Sequence, residues 1–493
     1  GRTASGTHRL LTMREDNTTR IDVSATALLE SFPRTALTPD TDYIETIELP
    51  ATPADTVPTE DVLRPALAEA YPHDLFRHQA DALAALDAGE NVAVTTSTSS
   101  GKTHIYGLHI ARTLLGAGVI DSDGRRSSER NAASTALCVY PMKALTKDQK
   151  DALDALYDQL GLDIRVRIYD GDTTGDRRAI RERADVILTN FAGLNVYLEH
   201  HDKWSRFYSA LDLVAIDESH TYTGVEGMHV AWILRRMRRV ADYWGGDPQY
   251  SLTSATIGNP KEHSEELINA PVTVVDDDGS PHGPRDVVLW NPPPRDKARD
   301  TTPADSAVAP EATDEDGADE TADESIAERV PASVEAPKVF NHLTSHDIRT
   351  LLFCESRKLT ELSIQRADEH RENNSREYDR SAGVGREAYN AGLGRRTRHA
   401  REHQFKTGAL TGLATTSALE LGIDIGSLDA TVLMGYPGQR QAFWQRIGRA
   451  GREASRSLAV LVGDHRTLDQ YILTHPEYLL ENDVEDAVVD TSH

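Results

Sequence analysis

The sequence predicts an α/β protein with two doubly wound parallel-sheet domains. Short apolar runs typical of buried strands alternate with helical patterns in two separate regions of the chain, 91–257 and 348–462. With 493 residues, the chain is too long for a single hydrophobic core. An acidic stretch, 292–337, lies between the two regions. These three observations favour two tandem domains of the same class.

The composition is that of a globular protein, with 39% hydrophobic residues and no apolar run of about 18 residues that could span a membrane. The first residues, GRTASGTHRLLTMRED, lack an initiator Met and the apolar centre of a signal peptide, so we expect a fragment or a processed chain. The two cysteines, Cys138 and Cys354, lie in strand-like apolar runs, which predicts buried, reduced thiols rather than a metal pair. The predicted compartment is a reducing cytoplasm.

The charge is strongly acidic. A formal net charge of −26 is unfavourable for a nucleic-acid-binding protein. Only ten of the 53 cationic residues are Lys, although Lys is normally a common residue. We interpret this bias as adaptation to a salt-rich, halophilic cytoplasm, where salt screens the repulsion between carboxylates. A local basic track remains compatible with this interpretation.

A phosphate-binding loop follows the first predicted strand. Residues 1–60 are polar and predicted to be an extended or partly disordered extension, and helical patterns cover 61–71 and 75–89. The strand 91–95 then leads into Thr96–Thr103, which ends in Gly101-Lys102-Thr103 and precedes a helical pattern. Strand, small-residue loop and helix are the context in which backbone N–H groups cradle phosphates. Thr96 stands where the strict pattern has Gly, and the alternative is a Ser/Thr-rich loop that happens to contain these three residues.

Two adjacent carboxylates, Asp217 and Glu218, end the apolar run 213–216. The carboxyl edge of a parallel sheet is where ligands bind. One carboxylate can hold a divalent cation while its neighbour takes a proton from water. The alternative is a strand that runs into a solvated acidic turn. The phosphate loop upstream favours a nucleotide site in which Thr103 and Asp217 share Mg²⁺.

The predicted domains are 61–291 and 338–480, with the acidic stretch 292–337 as a disordered linker or insertion and 481–493 as an acidic tail. From Asp305 to Glu328 there are ten acidic residues and no Lys or Arg. The second domain has no phosphate loop of its own. We therefore expect it to complete the site of the first domain.

The sequence resembles the DEAD/DEAH-box helicases of superfamily 2. The resemblance rests on seven segments in order: STSSGKT (97–103), YPMKALTKDQ (140–149), TNF (189–191), DESH (217–220), SAT (254–256), ALELGID (418–424) and QRIGRAGR (445–452). A narrower resemblance, to the Hrq-type and mitomycin-repair helicases, rests on YDGDTTGDRR (169–178), DESHTYTGVEGMHVAWILRRMRR (217–239), SATIGNPKEH (254–263), LWNPPP (289–294) and ALELGIDIGSLDATVLMGYPG (418–438). It implies two tandem RecA-like domains with the ATP site in the cleft between them, and a 3′-to-5′ DNA helicase of DNA repair that uses ATP and Mg²⁺.

The resemblance also implies residue roles. Gln79, with Arg77 nearby, would contact adenine. The phosphate-binding residues would be Thr98, Ser99, Ser100, Gly101, Lys102 and Thr103, with Thr103 and Asp217 as metal ligands and Glu218 as the base. From the second domain it implies Gly422 and Asp424 on the ribose and γ-phosphate side, Arg449 and Arg452 as arginine fingers, and Gln445 and Arg446 as their supports. The residues that would couple ATP to strand binding are His220, Ser254, Ala255 and Thr256.

Nucleic-acid contacts are expected across the tops of both domains, from Lys143, Thr189, Asn190, Ser356, Arg357, Thr415 and Thr416. Their polar groups suit phosphate rather than base recognition, so single-stranded or forked DNA is the expected partner. For two basic runs, 235–239 and 395–398, a salt-bridged, solvated face is favoured over a DNA track. Phe443 and Trp444 are predicted to be packing residues.

Two alternatives stay open beside the DNA helicase. One is an RNA helicase, because the core motifs are shared. The other is a nucleic-acid-dependent ATPase or binding module that does not unwind alone. Related helicases carry a C-terminal four-cysteine zinc domain, and the 493 residues hold no cysteines to build it, so a partner protein that supplies it is expected.

Overall fold

The computed structural model describes residues 23–32, 44–127, 133–294, 329–374, 385–420, 422–423, 425–451, 455–481 and 483–491. The strands are β1 (Ile44–Leu49), β2 (Thr56–Val57), β3 (Leu75–Phe76), β4 (Val92–Thr95), β5 (Thr135–Val139), β6 (Val166–Ile168), β7 (Val186–Thr189), β8 (Leu211–Ile216), β9 (Gln249–Ser254), β10 (Thr273–Val275), β11 (Arg285–Trp290), β12 (Thr350–Phe353), β13 (Arg386–Tyr389), β14 (Gly412–Thr415), β15 (Ala430–Met434) and β16 (Ser457–Val462).

The helices are α1 (Ala25–Ser31), α2 (Thr59–Val62), α3 (Pro65–Ala70), α4 (Arg77–Asp87), α5 (Lys102–Gly116), α6 (Lys143–Gln159), α7 (Arg177–Arg183), α8 (Phe191–Leu198), α9 (Ser205–Ser209), α10 (Gly224–Trp244), α11 (Pro260–Ile268), α12 (Ala332–Ser345), α13 (Arg357–Asn373), α14 (Arg395–Lys406), α15 (Arg440–Ile447), α16 (Thr467–Thr474) and α17 (Glu477–Leu480). Short 3-10 turns occupy His201–Trp204, Ser219–Thr221 and Ser417–Leu419.

The first sheet has seven parallel strands in the order β10-β4-β9-β8-β5-β7-β6. Its central strands are apolar and buried on both faces, as expected where helices cover both sides of a parallel sheet. Strands β4, β9 and β8 are neighbours and run parallel, so the loops that follow them meet at one edge. That edge carries the phosphate loop and both carboxylates.

The second sheet also has seven strands, in the order β1-β11-β16-β15-β12-β14-β13. All its pairs are parallel except the edge pair of β1 and β11. Helices α12 and α13 pack on one face, and α15 and α16 on the other. The predicted α/β class and the two tandem parallel sheets are confirmed.

The N-terminal region differs from the prediction of a partly disordered extension. Strand β1 pairs along its whole length with β11, and Leu28 and Phe32 of the α1 region are buried in the second domain's core. The backbone N–H of Ala25 donates to Asp286 of β11 at 2.8 Å. Strand β1 alternates only weakly between buried and exposed positions, because it is an edge strand, and its partner lies about 240 residues away. Residues 1–22 and 33–43 lie outside the described part.

The predicted boundary at residue 291 is therefore wrong, since β11 belongs to the second sheet. Part of the predicted linker 292–337 is also ordered. Helix α12 begins at Ala332 and is largely buried, while residues 295–328 lie outside the described part. From the sequence alone, an apolar run such as β11 is equally consistent with the last strand of one domain and with the first strand of the next.

The predicted acidic tail packs against the first domain instead of standing free. Gly224 and Gly258 donate backbone hydrogen bonds to Val488 and Glu485 at 2.8 and 3.1 Å. The two cysteines are free and buried, as predicted, and burial raises the pKa of each thiol to about 12. Among the described residues, none of the helices combines the length and the apolar composition needed to cross a membrane.

Candidate active site

The phosphate loop joins β4 to α5 and curls around its own lysine. Lys102 Nζ donates to the carbonyl oxygens of Thr96 and Ser97 at 2.9 and 2.6 Å. The hydroxyls of Thr96 and Ser100 lie 2.7 Å apart, so Thr96, which departs from the strict pattern, supports the loop from inside. Gly101, with φ +77°, takes the left-handed turn into the helix. The loop thus presents the free N–H groups of the α5 N-terminus to a ligand.

Helix α4 supports this loop from behind. The Gln79 side chain accepts from the N–H of Phe76 at 3.0 Å and donates to the carbonyl of Gly101 at 3.0 Å. A Cβ at Gly101 would lie 2.5 Å from Gln79 Nε2, so a side chain at that position would displace the Gln79 amide. His78 is buried and its Nε2 lies 3.0 Å from the Ser100 carbonyl. Arg77 is half-exposed and pairs with Asp55 at 3.3 Å.

The two carboxylates follow β8 and are held differently. Asp217 accepts from the hydroxyl of Thr253 on β9 at 2.5 Å and from the N–H of Glu218 at 3.1 Å. Glu218 has φ +53°, a strained conformation for a residue with a side chain, and such strain clusters at functional sites. Both residues are buried, at 7% and 8% exposure. The acidic-turn alternative is therefore excluded.

Burial and proximity perturb the charges of the site. Burial, followed by the neighbouring charge of Glu218, raises the pKa of Asp217. Burial lowers the pKa of Lys102, against the opposing effect of Glu218 and Asp217. A buried ammonium beside two buried carboxylates is an environment that a bound polyanion and a divalent cation would rebalance.

A histidine links the two domains. His220 Nδ1 accepts from the N–H of Ala255 at 3.2 Å, and its Nε2 lies 2.8 Å from the side-chain amide of Gln445 on α15. Burial lowers the pKa of His220 to about 4, so the ring is neutral. Ser254 bonds to the Ala255 carbonyl at 2.6 Å, and Thr256 is exposed. Of the predicted coupling residues, His220, Ser254 and Ala255 thus lie in one chain of contacts.

The second domain adds a cation to the cleft. Arg449 is only 2% exposed, and its guanidinium donates to the carbonyl of Glu420, with Nε at 3.1 Å. Arg446 binds the Glu420 carboxylate at 3.0 Å. Gly422 approaches the first domain so closely that a Cβ there would lie 3.4 Å from Glu218 Oε1. The predicted residues Asp424 and Arg452 lie outside the described part.

These groups line one cleft of about 510 Å³ between the domains. It is lined by the whole loop Thr98–Thr103, by Asp217 and Glu218, and by Gly422 and Arg449 from the second domain. The donor set suits a nucleoside triphosphate, because N–H groups and two cations surround one end. One carboxylate, Asp217, and one hydroxyl, Thr103, match the few protein ligands that Mg²⁺ takes beside phosphate oxygens.

The predicted nucleic-acid residues lie at the carboxyl edges of both sheets, in equivalent positions. Thr189 ends β7 and Thr415 ends β14; both are buried, and each hydroxyl donates to the next carbonyl, at 3.5 and 3.1 Å. Their side chains therefore shape the turn, leaving the backbone of Asn190 and Thr416 at the edge. Ser356 caps α13 at 3.3 Å, with Arg357 exposed beside it. Lys143 pairs with Asp172 at 2.9 Å.

The two basic runs differ. In the first, Arg235 pairs with Glu266 at 3.4 Å and Arg238 donates to the Asn269 carbonyl at 3.2 Å, so the predicted intramolecular face is confirmed. In the second, on α14, Arg395 and Arg396 are exposed and form no hydrogen bond or ion pair with described residues. Their exposure agrees with the predicted solvated face, although no salt bridge to a described residue accompanies it. Phe443 is buried, and Trp444 bonds to Leu479, so their predicted packing role is confirmed.

Four contributing residues escaped the sequence reasoning. Gln149 accepts from the Thr103 hydroxyl at 2.7 Å, Thr253 donates to Asp217, His78 supports the loop, and Glu485 reaches α15. Gln149 is the last residue of the segment 140–149, and Thr253 directly precedes the segment 254–256. Their positions at these segments were the sequence signal that could have identified them. Glu485 sits in a tail with no recognisable pattern.

Two family models match the chain. The model described as DEAD/DEAH box helicase matches residues 76–263, and the model described as Helicase conserved C-terminal domain matches residues 335–454. Together they cover more than half of the chain, and each coincides with one sheet-bearing domain.

Similar proteins agree with these matches. The chain is 32% identical to the uncharacterized ATP-dependent helicase YprA of Bacillus subtilis, over 87% of this chain and 51% of that protein. It is 34% identical to the ATP-dependent helicase hrq1 of Schizosaccharomyces pombe, over 81% of this chain and 34% of that protein. A crystal structure of the DUF1998 helicase MrfA bound to DNA has a TM-score of 0.78 and 30% identity, covering 95% of this chain and 56% of MrfA.

The chain spans about a third to somewhat more than half of the length of these relatives. Within that span it contains both family regions, the two sheets and a cleft built from both. It belongs to the DEAD/DEAH-box helicases of superfamily 2, close to the Hrq-type members.

Proposed function

We propose that the chain is the ATP-hydrolysing motor of a DNA helicase, coupling hydrolysis to movement on single-stranded DNA. The observation that carries this proposal is the composition of the 510 Å³ cleft. The phosphate loop and both carboxylates come from one domain, and the buried Arg449 comes from the other. A site divided in this way is complete only when the domains are closed, so hydrolysis and domain movement are linked.

Each residue of the cleft has a distinct role in this proposal. The α5 N-terminus and Lys102 bind the phosphates. Thr103 and Asp217 would hold Mg²⁺, which neutralises phosphate charge when bound. Glu218 orients and deprotonates the attacking water. Arg449 stabilises the charge on the transferring phosphoryl group, an effect worth about 10³–10⁵ in rate where a comparable arginine acts.

His220 couples nucleotide binding and hydrolysis in this site to the position of the second domain. It contacts the turn after β9 through Ala255 and contacts α15 through Gln445, so movement of either element changes both contacts. Gln79 and Arg77 flank the loop where the base of the nucleotide would emerge. Asp424, on the ribose and γ-phosphate side, and Arg452, as a second arginine finger, are added to these site residues on the resemblance alone.

DNA is the proposed track because the solved MrfA structures are of DNA complexes, one of them also with AMPPNP. The 3′-to-5′ direction and a role in DNA repair are proposed from the resemblance to the Hrq-type helicases. The polar edge formed by Lys143, Asn190, Ser356, Arg357 and Thr416 suits the sugar-phosphate backbone and gives no base readout. An RNA track and a module that does not unwind alone are the alternatives that the experiment separates.

The test measures ATP hydrolysis with no nucleic acid, with single-stranded DNA and with RNA of the same length, each at 0.2 and 2 M KCl. We expect DNA to raise kcat above the basal rate, and forked DNA with a 3′ tail to be unwound in preference to one with a 5′ tail. Stimulation by RNA alone would replace the DNA proposal. Stimulation without strand displacement would identify a module that needs a partner, for which a protein carrying the zinc domain is the proposed candidate.

Glu218→Gln tests the assignment of the base. The variant should bind ATP and DNA as the wild type does, while kcat falls by about 10²–10⁴, the usual contribution of a positioned base. Asp212→Asn, on the half-buried side of the same strand, is a matched control that should keep normal turnover. Normal turnover in Glu218→Gln would contradict the assignment.

We also propose that the protein works in a reducing, salt-rich cytoplasm. The two buried free thiols support the first part, and the net charge of −26 with only ten Lys supports the second.

A further inference from the structure

Residues 483–491, called the strap here, connect the two domains. On the first domain, Ala487 N–H donates to the Asn259 side chain at 2.8 Å, and the Asn259 amide donates back to the Ala487 carbonyl at 3.2 Å. Gly224, at the start of α10, donates to the Val488 carbonyl at 2.8 Å. These positions follow the DESH and SAT segments directly, so the strap lies on the elements that carry the hydrolysis machinery.

One residue of the strap contacts both domains at once. The backbone carbonyl of Glu485 accepts from Gly258 of the first domain at 3.1 Å. Its carboxylate accepts from the N–H groups of Arg440 and Gln441, the first two residues of α15, at 2.8 and 3.1 Å. The Arg440 guanidinium lies 3.4 Å from the same carboxylate.

The strap packs closely against the first domain. A Cβ at Gly258 would lie 2.7 Å from the Val484 carbonyl and 2.5 Å from Asp486. A Cβ at Gly227 would lie 2.5 Å from the Tyr222 carbonyl of the first domain and 2.8 Å from Val489 of the strap. The absence of a side chain at Gly258 therefore lets the strap lie close to the first domain.

Helix α15 is the element that this contact would position. It carries Gln445, which meets His220, and it leads directly into Arg449, which lines the cleft. The helix has eight residues, so a carboxylate bound at its first N–H groups lies little more than one turn from Gln445. A negative charge there also stabilises the helix N-terminus.

We propose that Glu485 is a positioning residue for ATP hydrolysis: it fixes α15 against the first domain and thereby places Gln445 and Arg449 over the bound phosphates. The proposal deepens the proposed function and rests on it. Glu485 lies outside the cleft and touches neither the nucleotide nor the reacting atoms.

The test is Glu485→Ala in the 493-residue chain, with kcat and KM for ATP measured without nucleic acid. We expect kcat to fall about tenfold, KM to stay within about twofold, and the melting temperature to change little. Glu485→Gln should recover part of kcat, because its amide oxygen can still accept from the α15 N–H groups. Asp483→Asn removes an equal charge from an exposed strap residue and should match the wild type.

A double mutant separates positioning from general damage. If Glu485 acts through Arg449, Glu485→Ala should cause no further loss in the Arg449→Ala background, measured as single-turnover hydrolysis of labelled ATP. A multiplicative loss in that background, or unchanged kcat in the single variant, would overturn the proposal. Because all rates are basal, missing DNA stimulation would contradict the proposed function without affecting this comparison.

Discussion

At the residue scale, the hydroxyl of Thr253 determines how Asp217 is presented. It donates to Asp217 Oδ1, so it fixes one carboxylate oxygen and favours the ionised form that a metal requires. Without it, burial and the charge of Glu218 would raise the pKa of Asp217 further. We predict that Thr253→Val, nearly the same size, increases the half-saturating Mg²⁺ concentration for ATP hydrolysis about 10–100-fold.

The matched control for this prediction is Ser251→Ala on the same strand. Ser251 is fully buried, and its hydroxyl has no hydrogen-bond partner in the described part of the chain. Its removal should leave the Mg²⁺ requirement unchanged. Equal Mg²⁺ requirements in Thr253→Val and the wild type would show that the hydroxyl does not tune the metal site.

Residue roles could be predicted where chemistry and spacing coincide. The loop, Asp217, Glu218 and Arg449 were all identified from the sequence, and the structure brings them into one cleft. Supporting residues such as Gln149 and Thr253 were not identified, because a hydrogen bond between side chains on different elements leaves no periodic pattern along either element.

At the element scale, α14 carries two exposed arginines, Arg395 and Arg396, that form no hydrogen bond or ion pair within the described part of the chain. Arg395 and Arg396 are exposed at its N-terminal end, close enough to the Lys143–Asp172 pair that Arg395 helps to lower the pKa of Asp172 after the larger effect of Lys143. Lys147 and His399 also meet across the cleft at 2.9 Å. We predict that Arg395→Ala and Arg396→Ala each weaken single-stranded DNA binding and lower the slope of log K against log[KCl] by about 0.7.

Fluorescence anisotropy at four KCl concentrations measures that slope. The matched control is Arg235→Ala, which removes an equal charge from α10, where the guanidinium is already paired with Glu266. It should leave both affinity and slope unchanged. Equal slopes in the α14 variants and the control would assign Arg395 and Arg396 to the solvated surface.

A helix or strand could be predicted where its own sequence determines its structure. It was ambiguous where its structure depends on residues far away along the chain. Helix α10 is local, because its apolar positions recur at helical spacing up to its end at Trp244, before Gly245. Strand β1 was missed because its structure comes from pairing with β11, which the sequence assigned to the wrong domain. The acidic strap was missed for the same reason, since its contacts are with distant backbone groups.

At the scale of the whole molecule, four buried histidines make stability depend on pH. Burial lowers the pKa of His109, His220 and His370 to about 4 and that of His342 to about 3, from an ordinary value of 6.5. Between these values the unfolded chain binds more protons than the folded one. The stabilisation is therefore complete above pH 6.5 and is lost as the pH falls towards 4, by up to about 1.4 kcal/mol per pH unit for each histidine.

We predict that the free energy of unfolding falls steadily from pH 7 to pH 5, measured by urea denaturation at half-unit steps. His109→Gln should reduce this slope by about one proton, because that ring lies inside α5 and its nearest charge, Asp87, is 3.9 Å away. A slope in the variant equal to that of the wild type would show that the buried ring is not a source of the pH dependence.

Salt should raise the stability of the whole molecule, whereas it should weaken DNA binding. With a net charge of −26, the folded chain repels itself, and raising KCl from 0.1 to 1 M shortens the screening length from about 10 to 3 Å. We predict a rise in melting temperature of at least about 5 °C, corresponding to about 2 kcal/mol of relieved repulsion in domains of this size.

Sucrose at equal osmolality separates screening from solute exclusion, because only screening levels off once the charges no longer interact. A melting temperature that stays constant or falls would contradict salt adaptation. Because the same salt weakens phosphate contacts, DNA stimulation of the ATPase should then be strongest at low salt.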